Sequence, residues 1–234
     1  MKKIVLSLGG SVLVPSLESN KIQQYASILK DIAEKYQVFV VIGGGGEARR
    51  YIGVARDLGI DEATSDELGI MVTRINAFLL SCALGDAAYP RIATNYTEAK
   101  EFAESGKIVV MGGVTPAQTT DAVSAVLAER TGAELMINAT SVDAIYSADP
   151  RKDTSATRYK YLTPEELLSI IMGERMDAGS NTVIDLVAAK VVQRSGLTML
   201  VLDGRDPENV KDALMNKNWN GTVVGRKRYN PLSE

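Results

Sequence analysis

The sequence predicts an α/β fold with a mostly parallel sheet, on three observations. Short β-branched runs at residues 4–6, 38–42, 108–111, 135–137 and 199–202 alternate with longer stretches whose apolar residues recur at helical spacing. These strands are apolar throughout rather than alternating, as expected where helices cover both faces of a parallel sheet. Glycines cluster directly after three of the runs, at the strand ends where such sheets bind ligands.

The elements follow in order. Over residues 20–36, Ile22, Tyr25, Ala26, Leu29, Ile32, Ala33 and Tyr36 form one apolar stripe, which predicts a surface helix. A second helix is predicted over 66–83, with Leu68, Met71, Val72, Ile75, Leu79 and Cys82 facing inward. Cys82 is the single cysteine, so it makes no internal disulfide, and its apolar position predicts burial. Further helices follow Thr119, Thr163, Ile184 and Pro207. The 234 residues contain no internal repeat, low-complexity stretch or linker, so one large domain or two closely joined lobes are expected. A lobe boundary near 121–133 would be a hinge or groove rather than a tether.

Composition narrows the function classes. With 45% hydrophobic and 24% charged residues the chain is ordinary globular protein, and a net charge of -3 gives no footprint for a nucleic-acid polymer or an anionic membrane. No uninterrupted apolar run approaches the ~20 residues of a membrane span, and the N-terminal MKKIVLSLGG lacks a signal-peptide pattern, so a cytoplasmic protein is expected. Histidine is absent, which removes the commonest general base and metal ligand.

The chemistry is expected at the glycine turns: Gly9-Gly10-Ser11, Gly43-Gly44-Gly45-Gly46 and Gly112-Gly113. A glycine-rich strand-to-helix turn lets backbone N–H groups approach phosphate closely, and three together suggest a polyphosphate cradle, although any one alone is simply a tight turn. Neither a GxxxxGK[ST] loop nor a GxGxxG dinucleotide fingerprint is present. Arg49, at the start of the helix after the second turn, is placed to hold a phosphate or to be a solvated arginine, the role expected of Arg50. The third turn leads into a loop with Thr115, Gln118, Thr119 and Thr120, which can read a polar ligand edge, while Thr119 or Thr120 also suits the N-cap of the next helix. After the 135–137 strand, Thr140, Asp143, Tyr146 and Asp149 combine polar groups with an aromatic face suited to a nucleoside or its magnesium.

In this order, the three glycine turns, Thr119-Thr120-Asp121 and Val142-Asp143 with Tyr146 and Ala148-Asp149-Pro150 resemble the amino acid kinases over essentially the whole chain. The Gly-Gly-Ser-Val-Leu-Val-Pro15 stretch, Ala-Tyr-Pro90 and Val183-Ile-Asp-Leu-Val-Ala-Ala-Lys190 are most similar to the archaeal UMP kinase branch. The resemblance implies a three-layer αβα sandwich with an N-terminal acceptor-binding lobe (about 1–125) and a C-terminal ATP-binding lobe (about 126–234), assembled as a homohexamer. It implies transfer of the ATP γ-phosphoryl group to UMP, with Mg2+, in pyrimidine nucleotide biosynthesis. Carried over by position, Gly9, Gly10, Gly45 and Arg49 would contact the ATP phosphates, with Arg49 as the catalytic cation, and Thr140, Tyr146 and Asp149 would hold the nucleoside end. Gly44, Asp66, Val114, Thr115, Pro116, Ala117, Gln118, Thr119 and Thr120 would bind UMP; Asp66 is equally suited to cap a helix. Asp185 and Lys190 reach the site under this resemblance or are ordinary helix charges.

Two departures from the family pattern stand out. Ser7 occupies a position where many members carry a phosphate-contacting lysine, and Thr140-Ser-Val-Asp-Ala-Ile-Tyr146 replaces the usual Thr-Asn-Val-Asp-Gly-Val-Tyr. The absence of histidine argues against isopentenyl phosphate kinase, which uses one after its second glycine turn. A non-catalytic nucleotide sensor is the reading that the missing lysine favours.

Overall fold

The computed structural model describes residues 1–150, 153–174 and 184–226, so Val183 of the stretch noted above lies outside the described residues. Strands β1 (Lys2–Leu8), β2 (Tyr36–Ile42), β3 (Val109–Met111), β4 (Leu135–Thr140), β7 (Tyr161–Leu162), β8 (Thr198–Asp203) and β9 (Gly221–Val224) form one sheet in the order β3-β2-β1-β4-β8-β9-β7. Every pairing is parallel except β8 with β9. A separate two-stranded ribbon joins β5 (Ile145–Tyr146) to β6 (Arg158–Tyr159).

Helices cover both faces, giving three αβα layers. One apolar core lies between the sheet and α1 (Gly10–Leu13), α2 (Lys21–Ala33), α4 (Glu62–Leu84) and α9 (Pro207–Met215). The other lies beneath α5 (Tyr96–Ala103), α6 (Thr120–Thr131), α7 (Pro164–Glu174) and α8 (Leu186–Ser195). Along β1, Ile4, Leu6 and Leu8 enter the first core and Val5 the second, as a period of two requires of a strand buried on both faces. The parallel arrangement brings the carboxyl ends of β1, β2, β3 and β4 to one edge, and α3 (Gly45–Asp57) starts there.

The largest departure from expectation is in α4. It begins at Glu62, because Asp61 caps it by accepting from the Thr64 amide at 3.0 Å, so Asp66 lies in the second turn and is not the cap. Its buried face is Ser65, Gly69, Val72, Thr73, Asn76, Ala77, Leu80, Ser81 and Leu84. Of the stripe expected inside, Val72 is buried and Leu68 half-buried, but Met71 is 56% exposed and Ile75 60%, and Leu79 and Cys82 are exposed too; Phe78, 57% exposed, joins them on the outer face. Backbone needs override apolarity here, since Thr73 and Asn76 point inward to hydrogen-bond the glycine turns. By length and composition Glu62–Ala87 would also qualify as a membrane span, but half of its apolar window is buried in the fold.

Smaller differences have local causes. The helix over 20–36 ends at Ala33, and Tyr36 instead opens β2 and donates its hydroxyl to the Leu214 carbonyl at 3.3 Å. The two-residue strands β5, β6 and β7 are too short to give a periodic signal.

Candidate active site

Glycine is required in the first two turns because their backbones touch. A Cβ on Gly10 would lie 2.2 Å from the Gly45 nitrogen and 2.4 Å from the Gly43 oxygen, and one on Gly43 would lie 2.6 Å from the Gly10 nitrogen. Gly45 also has φ 66°, where a side chain is disfavoured. Asn76, buried on α4, donates from Nδ2 to the Gly43 carbonyl at 3.0 Å and so fixes the second turn from below. Gly44 is the N-cap of α3 and offers no capping side chain, which leaves the first amides of that helix free to meet an anion.

The two arginines beyond this turn differ. Arg50 pairs with Glu47 at 3.0 Å on the surface, whereas Arg49 is exposed and makes no ion pair among the described residues. Arg49 is the fifth residue of α3, one turn further in than its expected place in the first turn.

The third turn is packed against α4. A Cβ on Gly112 would lie 2.6 Å from Thr73 Oγ1, which accepts the Gly113 N–H at 2.7 Å, while Arg74 Nε donates to the Gly113 carbonyl at 3.3 Å. Beyond it, the Ala117 N–H donates to Asp66 Oδ2 at 2.8 Å, and Tyr96 donates its hydroxyl to Gln118 Oε1 at 3.4 Å. Thr119 caps α6 by accepting from the Ala122 amide at 3.2 Å, as its residue type suggested, and its hydroxyl donates to Asp185, the N-cap of α8. Val114, Pro116, Gln118 and Thr120 are half-buried, and Thr115 and Ala117 are exposed.

Beneath the α6 N-terminus lies a polar cluster on the core side. Ser7 Oγ donates to Asp121 Oδ1 at 2.9 Å, and Asn138 pairs with Ser7 in the β1–β4 register. The Asn138 amide lies near enough to favour the ionised Asp121 but completes no hydrogen bond; Nδ2 is the one buried side-chain polar atom left unpartnered among the described residues. Burial pushes Asp121 up to about 6, the Asp185 carboxylate adds to that rise, and the Ser7 hydrogen bond opposes it.

The nucleoside-end residues lie on the other side of β1. Thr140 ends β4 opposite Asp203 in the β4–β8 register, and its carbonyl accepts from the Gly204 amide at 2.8 Å. Tyr146 donates its hydroxyl to Asp143 at 3.1 Å, and Asp143 pairs with Arg158 at 3.0 Å. Burial, then the Asp143 charge, raises the Tyr146 hydroxyl above its ordinary value. Asp149 is half-buried just past this ribbon strand, and Lys190 is exposed on α8.

A mostly parallel αβα sandwich with glycine turns massed at its strand ends is a phosphate-binding enzyme architecture, and this chain belongs to the Amino acid kinase family, whose profile matches residues 2–203. Among its relatives, a uridylate kinase of Methanoculleus marisnigri is 69% identical over 232 residues, 99% of each chain. One from Methanocorpusculum labreanum is 58% identical over 96% of each. The crystal structure of uridylate kinase from Archaeoglobus fulgidus superposes with a TM-score of 0.85 at 46% identity, covering 96% of this chain and all of that one.

Sequence reasoning missed Thr73, Arg74, Asn76 and the pairing of Ser7, Asp121 and Asn138. For Thr73 and Asn76 a signal existed, namely polar side chains three apart within an apolar helix. For the cluster there was none, because it joins β1, α6 and β4.

The raised pKa of Asp121 has a stability consequence. Between its ordinary 3.8 and about 6 the folded chain binds the proton more tightly than the unfolded chain, so this group's contribution falls as pH rises through that window. Asp121→Asn, which is always neutral, is expected to be more stable than the parent at pH 7.5, by up to about 3 kcal/mol. That advantage should vanish below pH 4, as urea denaturation at a series of pH values will reveal.

Proposed function

We infer that the chain is an ATP-dependent UMP kinase of the cytoplasm, transferring the γ-phosphoryl group of ATP to UMP to give UDP and ADP in pyrimidine nucleotide biosynthesis. The observation that carries this reading is the backbone contact between the first two glycine turns, with the uncapped α3 N-terminus and Arg49, unpaired among the described residues, on one side and a loop pinned to α4 on the other. The full-length similarity to proteins named uridylate kinase supports the choice of acceptor.

The chemistry asks for positioning more than for a base. A UMP phosphate oxygen is already anionic near neutral pH, so the nucleophile needs no deprotonation, and the absence of histidine costs nothing. Gly10 and Gly45 place amides against the ATP phosphates while Gly9, whose N–H donates to the Ala139 carbonyl at 3.1 Å, lines the same turn, Arg49 stabilises charge in the transition state, and Thr140, Tyr146 and Asp149 hold the nucleoside end. Gly44, Asp66 and the loop from Val114 to Thr120 receive UMP, with Thr115, Gln118 and Thr120 meeting the mixed donor and acceptor edge of uracil. In this division the acceptor lobe spans about 1–125 and the ATP lobe about 126–234, joined across β1 and β4.

No three acidic, histidine or cysteine side chains cluster among the described residues. That donor set fits a Mg2+ carried in by ATP and held largely by phosphate oxygens, which would neutralise charge on the transferred group. With Ser7 bonded to Asp121, the fixed cation of the site is assigned to Arg49.

A second copy of the chain is the proposed occupant of the outer face of α4. Met71, Ile75, Phe78 and Leu79 lie on one helical face and leave roughly 400 Å² of apolar surface open, the size of the largest patch on a typical soluble chain, which is often a contact surface. Two such stripes packed on each other supply about half of the roughly 800 Å² per partner of a stable interface, and flanking residues would supply the rest. This contact would serve as one interface of a homohexamer.

Three outcomes are expected. In a coupled assay of ADP release with ATP and Mg2+, UMP should exceed CMP by at least tenfold, since CMP leaves buried groups unpaired; equal rates would refute the acceptor assignment. Arg49→Ala should lower kcat by tenfold or more, about 1.4 kcal/mol of transition-state stabilisation, with an unchanged melting curve. Phe78→Asp should reduce the oligomer measured by light scattering, and an undiminished assembly would remove α4 from the interface.

A further inference from the structure

The loop after the third glycine turn is held in a shape that its own sequence resists. Ala117 has φ 62°, in the left-handed region that disfavours a residue with a Cβ, and no glycine stands there to relieve it. One hydrogen bond opposes the strain, from the Ala117 N–H to Asp66 Oδ2 at 2.8 Å. The acceptor atom is itself well anchored. Asp66 lies in the second turn of α4, just beyond the Asp61 cap, and further along the same helix Thr73 accepts the Gly113 N–H while Arg74 donates to the Gly113 carbonyl. A single rigid helix therefore holds the loop at its root and at its tip. Asp66 Oδ1 accepts no hydrogen bond among the described residues and stays open to a ligand hydroxyl.

We propose that Asp66 is a positioning residue whose carboxylate latches Ala117 in its left-handed turn and thereby keeps the loop in the shape that receives the acceptor nucleotide. This deepens the UMP kinase reading and rests on it for the identity of the acceptor. A carboxylate that only touched ribose would gain nothing from a bond to the loop backbone. A latch does, because releasing it lets Ala117 relax to negative φ and carries Pro116 and Gln118 out of place.

The latch predicts an epistatic pattern. Asp66→Ala should raise KM for UMP by tenfold or more, with a smaller change in kcat, and should abolish hydrogen-exchange protection of the Ala117 amide. Adding Ala117→Gly, which makes the left-handed turn intrinsically accessible, should lower that KM again by about fivefold, the order expected from relieving a left-handed alanine. The gain should exceed that of Ala117→Gly in the parent background. If glycine gives no rescue and Ala117 exchange is the same in the parent and in Asp66→Ala, the proposal fails and the carboxylate acts by ligand contact alone. A collapse of the preference for UMP over dUMP in Asp66→Ala, without rescue, would likewise overturn the latch. Should the parent enzyme fail to phosphorylate UMP, the acceptor reading falls separately, and the exchange measurement on the free protein still decides the latch.

Discussion

The close approach of the first two glycine turns is the constraint on which the site depends. Gly10, Gly43 and Gly45 meet backbone to backbone at distances that admit no side chain. That contact is possible because β1 and β2 are adjacent, parallel and in register, from Lys2 opposite Tyr36 to Leu8 opposite Ile42, so both strands end at the same level. The turns then have nowhere to go but against each other. The result is a surface of amide groups with the N-terminus of α3 rising from it, a place where an anion is favoured without a dedicated lysine.

Helix α4 makes that surface rigid. Its inward side chains do work that its apolar residues cannot, since Asn76 satisfies the second turn and Thr73 the third, and the 112–118 loop would otherwise present unpaired backbone to a buried region. Giving the inner face to polar and small residues leaves the large apolar ones outside. The exposed stripe is thus the geometric counterpart of the buried hydrogen bonds, and a proposed second copy covering it would be reading the same helix from behind. In that arrangement the acceptor loop and the subunit contact share one structural element.

The cluster under α6 shows how the chain handles charge where β1, β4 and α6 meet. Asp121 and Asp185 each sit at a helix N-terminus, where the macrodipole favours a negative group. At Asp121 the pKa is raised, because there desolvation outweighs the hydrogen bond from Ser7. Ser7 gives that carboxylate a hydrogen bond, and the neighbouring Asn138 amide completes none. Thr119 ties the two helix caps together, so the N-termini of α6 and α8 are held as a unit beside the third turn.

Much of the fold was legible in the sequence, because parallel strands buried on both faces leave short apolar runs, and here glycine turns recur at their ends in alternation with helical spacing. The five runs marked β1, β2, β3, β4 and β8, and Thr119 capping α6 required only local information. The sequence also limited the chemistry, since a chain without histidine and with little net charge leaves a nucleophile that needs no base as the economical choice. What tertiary structure alone decided was direction and partnership. Periodicity revealed that α4 has an apolar stripe but not that the stripe faces outward, because the inner face was set by the backbone groups of turns distant in the chain. The same holds for Asp66, whose carboxylate meets Ala117 across 51 residues, and for Asp121, which accepts from Ser7 on β1 across 114. Such contacts are made by the packing of elements and leave no spacing in the chain from which to read them.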